Sequence, residues 1–408
     1  MRLRVRRAVV FSSVVAIVGA FVAACGPPPP PPPSSCDGSS VTPTPAHPVD
    51  YVAVVKTGAS SAPHATTFIA TSEADKSAKV AQLQNTGTVL TVEPNRVVHA
   101  QTDPPFTPTA PNYPLYTNSP PQQWGLGSQP GADFSNAWSQ GESGGGTTIA
   151  IVDTGVDLNH QGLVGRVTAG PDFVAGGTVT GDPYGHGTHV AGIAADNDTL
   201  GGLGGAPNTH LVAVRVLDAN GSGTDAEVYN GIVWAADNGA SVINLSLGGP
   251  GCDTTMQQAV VYAHDHGVVV VAAAGNDGST ELFSPAAYAK DVIAVAATDS
   301  SGNLAPFSNY GGFVAIAAPG VGVVSTCAFS DRCIQGNKPS DTAYGQLSGT
   351  SMATPFVSAA AALLKEQCGS SFSPDSVKHE LQNHAGPAVP GYAFHRLDAS
   401  LAVGAACG

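Results

Sequence analysis

Charge is scarce in this 408-residue chain, where Asp, Glu, Lys and Arg together make up 11%. The 16 basic residues face 30 acidic ones, a formal net charge of -14. From residue 105 onward 8 Lys and Arg stand against 24 Asp and Glu, a balance of -16. A surface of that sign repels a phosphate backbone, so nucleic acid is excluded as a partner. Paired C-x-x-C spacings are absent, which favours disulfides over a structural zinc site. What is plentiful is apolar residues (42%), glycine (49) and proline (32). Such a chain can bury one large core with an appendage and fix many turns through backbone geometry.

The first residues, "MRLRVRR", carry four arginines and run into "AVVFSSVVAIVGAFVAA". That is the basic and apolar layout of an export signal. It ends in "VAAC", which resembles the lipobox of bacterial lipoproteins, implying a lipid on Cys25 and attachment to a membrane. Residues 1–25 then read as the signal and 26–50 as a Pro-rich spacer, stiffened by the polyproline run Gly26 to Pro33. Six cysteines remain in an oxidising compartment, and six permit fifteen pairings. Proximity favours Cys327 with Cys333, and Cys368 with Cys407 would tie the last helical region to the C-terminus. Cys36 with Cys252 follows by elimination.

Residues 51–101 form a small α+β unit: "YVAVV" and "GTVLTVEP" read as strands, and "SEADKSAKVAQLQ" as an amphipathic helix with a serine cap. Residues 102–147, rich in turn formers, read as a linker and the N-terminal arm of the domain that follows. From 148 to 408 short apolar runs alternate with helical segments: "TIAIVDTG", "HLVAVRVLD", "GASVINLSLG", "GVVVVAAAGN" and "DVIAVAATD". Val, Ile and Ala runs with little alternation predict strands buried on both faces. The expected fold is α/β, a mostly parallel central sheet flanked by helices on both faces. Ligands in such sheets bind beyond the carboxyl ends of the strands.

Four polar residues fall at that edge. Asp153 closes "TIAIVD", Asn276 closes "VVVVAAAGN", His186 opens the helix of "GHGTHVAG", and Ser351 stands in "QLSGTSMATPFV" before a helical run. Singly they have plainer readings as turn residues or a helix cap, and His186 with His189 has the spacing of a metal pair. The neighbouring helix offers no further ligand at matching spacing. Together they meet the needs of acyl transfer. A serine hydroxyl needs an imidazole to take its proton, the imidazole needs a carboxylate to fix its tautomer, and the tetrahedral oxyanion needs two donors.

The segments "IAIVDTGVD", "GHGTHVAGIAA", "INLSLGG", "VVVAAAGN" and "GTSMATPFVSAAAALL" resemble the signature segments of subtilisin-like serine proteases, in that family's order. The resemblance extends from about 110 to 403. It implies a secreted endopeptidase with Asp153, His186 and Ser351 as triad and Asn276 as oxyanion side chain. Substrate would lie as a strand between Gly221, Ser222, Gly223 and Ser246, Leu247, Gly248. The primary specificity pocket would run between Ser246–Gly249 and Ala273–Asn276, with Ala274 and Gly275 in its wall and Phe283 at its floor. The unit at 51–101 is similar to the family's inhibitory propeptide, which makes the chain's own propeptide an intramolecular inhibitor and chaperone. The expected partner is otherwise a protein or peptide substrate, and the enzyme a monomer needing no cofactor.

Calcium is the weakest part of the likeness. "PNYPLY" (111–116) has Tyr113 where relatives have an acidic ligand, and Gly162 stands where a second carboxylate is common. Asp196, Asn197 and Asp198 would keep part of a loop site, while the strong site looks degraded. A non-catalytic surface binding protein on the same fold is the alternative, and it would be expected to have lost a triad or oxyanion member. None is lost. An acid-active serine-carboxyl peptidase would want glutamate and aspartate where His186 and Asn276 stand.

Overall fold

The computed structural model describes Cys36 and residues 49–101, 123–197, 202–328 and 344–407. The expected signal, Cys25, most of the spacer, "PNYPLY" and Asp198 lie outside these residues. Among the described residues no helix is long and apolar enough to cross a membrane.

The N-terminal unit begins two residues earlier than expected. Strands β1 (Val49–Lys56), β2 (His64–Ala70) and β3 (Thr88–Pro94) form an antiparallel sheet ordered β2-β1-β3. Helix α1 (Glu73–Gln84) joins β2 to β3, and Ser72 caps it by accepting the Asp75 N–H, as the sequence predicts. A short strand β4 (Val97–Ala100) then leaves the unit and enters the larger domain.

That domain follows in chain order. Helix α2 (Phe134–Ser139) precedes β5 (Thr148–Asp153) and β6 (Val167–Asp172), then α3 (His186–Ala195), β7 (His210–Arg215) and β8 (Ser222–Thr224). Next come α4 (Asp225–Asp237), β9 (Val242–Leu245), β10 (Leu247–Pro250), α5 (Thr254–Asp265), β11 (Val269–Ala273) and β12 (Phe283–Ser284). Strands β13 (Val292–Thr298), β14 (Ile316–Pro319), β15 (Val323–Thr326) and β16 (Tyr344–Leu347) lead to α6 (Thr350–Cys368), α7 (Pro374–Asn383) and α8 (Ala399–Ala405).

Seven strands pair in the order β14-β13-β11-β9-β5-β7-β6, every pair parallel. Because successive side chains point to opposite faces, each strand feeds two cores. Ile149, Ile151, Leu211 and Val271 face one core, with Val190 of α3 and Phe356 of α6. Ala150, Val152, Val214 and Val270 face the other, with Ile232 of α4 and Val260 of α5. Each fully buried Val, Leu or Ile contributes about 1.5–3 kcal/mol. The unbroken apolar runs of the sequence are the imprint of this two-sided burial.

The segment read as linker and arm is part of the domain where it is described. Trp124 donates its Nε1–H to the Val321 carbonyl at 3.2 Å, and Phe134 is fully buried in the first core. Two expected disulfides are present, Cys36–Cys252 and Cys368–Cys407. Cys327 is also disulfide-bonded, and its expected partner Cys333 lies outside the described residues.

Candidate active site

The carboxyl edge of the parallel sheet gathers the predicted residues. Asp153 is the last residue of β5, Ser246 falls between β9 and β10, and Asn276 follows β11. Ser351 is the second residue of α6, whose N-cap is Gly349, so the plain cap reading of that serine does not hold. All of this lies where parallel sheets bind ligands.

Asp153 and His186 are in contact: Oδ1 stands 2.7 Å from Nδ1, both side chains buried. A carboxylate on Nδ1 holds the proton there and leaves Nε2 as the acceptor. Nε2 is buried with no hydrogen-bond partner. The close approach needs Gly187, where a Cβ would stand 2.1 Å from the Gly155 carbonyl and 3.1 Å from the Asp153 Cβ. His189, one turn on, donates from Nε2 to the Gly345 carbonyl at 3.1 Å, and burial lowers its pKa to about 3. It is a neutral, structural histidine and no second half of a metal pair.

Asp182, which sequence reasoning missed, joins the two halves of this dyad. Its Oδ1 accepts from Thr154 Oγ1–H (2.8 Å), Tyr184 N–H (3.1 Å) and Gly185 N–H (2.7 Å). Its Oδ2 accepts the N–H (2.8 Å) and hydroxyl (2.7 Å) of Thr188. Thr154 Oγ1 in turn accepts the Gly187 N–H at 3.0 Å. One carboxylate therefore ties the loop after Asp153 to the first turn of the helix that carries His186. Burial raises its pKa, against the lowering bonds from Gly185 and Thr188. The visible signal was an aspartate four residues before a helix whose cap, Gly185, has no side chain to accept with.

The Ser351 hydroxyl donates to the Ser246 carbonyl at 2.8 Å, so serine and imidazole are not hydrogen-bonded here. Turning χ1 redirects that donor. Asn276 Oδ1 accepts the N–H and hydroxyl of Thr350, each at 2.9 Å, which leaves Nδ2 as a buried donor without a partner. Two atoms that acyl transfer requires, an imidazole acceptor and an amide donor, are thus among the buried atoms with nothing to bind.

The chain's own strand β4 lies in the cleft, between the two segments predicted to bind substrate. It pairs antiparallel with β8 (Val98 with Gly223, His99 with Ser222) and with β10 (Ala100 with Leu247, His99 with Gly248). Ala100 N–H donates to the Gly221 carbonyl at 2.9 Å and Gln101 N–H to the Ser246 carbonyl at 3.1 Å. The Ser351 N–H donates to the Gln101 carbonyl at 3.2 Å. Beside it the Phe283 ring fills the space between pocket walls: a Cβ on Gly248 would stand 2.5 Å from Cε1, and one on Gly275 would stand 3.0 Å from Cγ. Gly249 lies on β10 next to Val98, with Ala274 fully buried.

The N-terminal unit rests on the start of α4 and α5. Arg96 pairs with Asp225 (Nε to Oδ2, 2.9 Å) and with Asp253, and Glu93 Oε2 accepts the N–H groups of Thr254 (2.8 Å) and Thr255 (3.0 Å). A carboxylate at a helix N-terminus satisfies orphan donors and meets the positive end of the dipole. Two buried carboxylates share one guanidinium, so burial and then repulsion from Asp253 raise the Asp225 pKa to about 7.

The residues near Gly162 do not fit a strong calcium site. Gly162 brings no carboxylate, and a Cβ there would stand 2.1 Å from Asp196 Oδ1 and 3.0 Å from the Tyr344 hydroxyl. Tyr344 donates that hydroxyl to Asp196 Oδ2 at 2.7 Å. Among the described residues no group of three or more His, Cys, Asp or Glu stands together as a metal site.

Comparison with known proteins matches this arrangement to a family. A family model described as Peptidase S8, Subtilase family, matches residues 144–403. A "Thermophilic serine proteinase" of Bacillus sp. (strain AK1) is 43% identical over 292 residues, 71% of this chain and 66% of that protein. Thermitase of Thermoactinomyces vulgaris is 49% identical over 233 residues, 57% of this chain and 78% of that protein. A solved protease structure from Pseudoalteromonas arctica PAMC 21717 matches with TM-score 0.64 and 31% identity, over 73% of this chain and 99% of that one. The chain belongs to the subtilase family and is a subtilisin-like serine endopeptidase.

Proposed function

We infer that the chain hydrolyses peptide bonds through an acyl-enzyme on Ser351, and that its first substrate is its own Gln101–Thr102 bond. The carrying observation is the Gln101 carbonyl, which accepts the Ser351 N–H while the strand before it is paired on both sides. Ser351 Oγ attacks that carbonyl carbon and passes its proton to His186 Nε2, with Asp153 holding Nδ1–H and stabilising the imidazolium. The oxyanion gains the Ser351 N–H and Asn276 Nδ2–H. His186 then protonates the Thr102 amine as the C–N bond breaks, and water releases the acyl group by the same steps reversed. Ser351→Ala tests the reading: full-length chain should accumulate with no peptidase activity, while wild type yields a new N-terminus at Thr102. Cutting by the alanine variant would overturn it.

Residues 49–101 act as propeptide, an inhibitor held by the Arg96 and Glu93 contacts and by β4 in the cleft. Substrates resemble that tail. The Phe283 ring shortens the primary pocket, and the Gln101 amide folds back onto the His99 and Gly248 carbonyls (3.0 and 3.3 Å), so short side chains are favoured before the cut. Val98, buried in the second core, points to an apolar residue three positions earlier.

The chain is exported, and Cys25 carries a lipid that attaches it to a membrane. Incorporation of labelled palmitate that disappears in Cys25→Ser checks the anchor.

A further inference from the structure

We propose that the cleaved propeptide stays covalently bound to the catalytic domain through Cys36–Cys252, making the processed enzyme a two-chain molecule with a retained inhibitor. The proposal rests on the Gln101–Thr102 cleavage inferred above. Cys36 lies on the N-terminal side of the propeptide and Cys252 in the catalytic domain, 216 residues away in sequence. Hydrolysis between them leaves two chains, 36–101 in the first and 252 in the second, with the S–S bond untouched.

The bridge is built into the domain. Cys36 is 1% exposed and donates its N–H to the Ala287 carbonyl at 2.8 Å. Cys252 precedes Asp253, the N-cap of α5 and partner of Arg96, and the next two N–H groups are held by Glu93. The covalent attachment therefore sits beside the propeptide's own docking contacts. Between Cys36 and the first propeptide strand at Val49 run 12 residues, a reach of about 3.3–3.6 Å each when extended. A linker of that length holds the released unit at an effective concentration of about a millimolar. An untethered propeptide leaves on dilution; this one rebinds whatever the enzyme concentration. With its Cys36 half buried in an oxidised protein, the bridge persists. Release then needs a second peptide-bond cut on the C-terminal side of Cys36, or reduction of the bridge to two thiols by an external thiol. Whatever is attached upstream of Cys36 stays with the enzyme as well.

The test uses the full chain, self-processed under oxidising conditions, thiols blocked with iodoacetamide, beside a Cys36→Ser/Cys252→Ser variant. Wild type should run as one species without reductant and as two with dithiothreitol, the smaller one ending at Gln101. Two chains that separate without reductant overturn the tether and leave the cleavage reading standing. One chain in both lanes overturns the cleavage reading and the two-chain form with it. On hundredfold dilution, specific activity against a peptide substrate should rise roughly tenfold in the variant and stay constant in wild type. A parallel rise in wild type overturns the retained inhibitor. The electrophoresis needs only wild type, so a variant that fails to fold leaves the proposal open to refutation.

Discussion

Ser246 and Ser351 hold each other reciprocally: the Ser351 hydroxyl donates to the Ser246 carbonyl and the Ser246 hydroxyl to the Ser351 carbonyl, each at 2.8 Å. The second bond answers a defect in α6. Pro355, four residues after Ser351, has no N–H, so the Ser351 carbonyl lacks its helical donor. Ser246 supplies one from outside the helix and is itself set by the Asn244 amide, at 3.0 Å. Ser246→Ala should therefore leave a buried carbonyl unsatisfied and cost about 1–3 kcal/mol, read by denaturant unfolding of the Ser351→Ala background.

Asn276→Ala should remove one oxyanion donor and keep the fold. We expect kcat to fall by about a hundred- to a thousandfold with KM within a few-fold, measured on a short peptide ester. A loss confined to KM would contradict that role.

Asp182→Asn places an NH2 group among five donors. The start of the His186 helix should slacken, lowering kcat by roughly ten- to a hundredfold through misplaced imidazole. A merely structural part would lower the unfolding midpoint and leave kcat of the folded enzyme unchanged.

Phe283→Ala should open the primary pocket. Cleavage before large aromatic side chains should gain at least about tenfold relative to small ones in a peptide library. An unchanged profile would remove the ring from the specificity account.

Asp225 gives the fold a pH dependence. Its pKa is raised from 3.8 to about 7 by burial and Asp253. Between those values the folded chain keeps a proton that the unfolded chain has lost, so stability contributed by this group declines as pH rises from about 4 to 7. The slope approaches about 1.4 kcal/mol per pH unit at most. Thermal unfolding of the uncleaved Ser351→Ala chain should show it, and adding Asp225→Asn should flatten it.

The strands β5, β7, β9, β11 and β13 were legible because two-sided burial leaves continuous Val, Ile and Ala, whereas the capping box of Thr224 and Glu227 that starts α4 went unread. Asp153, His186, Asn276 and Ser351 were legible because each sits beside small residues at a strand or helix end. The strands β8, β10 and β12, of two to four residues, carry no readable period. Arg96 with Asp225 or Asp253, 129 and 157 residues apart, is a contact that only the assembled fold creates. The placing of the Phe283 ring is likewise set by neighbours distant in sequence, Gly248 on β10 and Gly275 after β11.

The parallel sheet also divides the molecule's tasks. Helices α3 and α6, carrying His186 and Ser351, are buried against one side of it, while β1, β4, α4 and α5 pack on the opposite side. When the propeptide unit lifts away it uncovers the outer faces of α4 and α5 and, at the carboxyl edge of the sheet, the cleft that β4 fills beside Ser351. The seven strands stay clamped between α4 and α5 on one side and α3 and α6 on the other, so unblocking the cleft does not require the hydrolytic residues to repack.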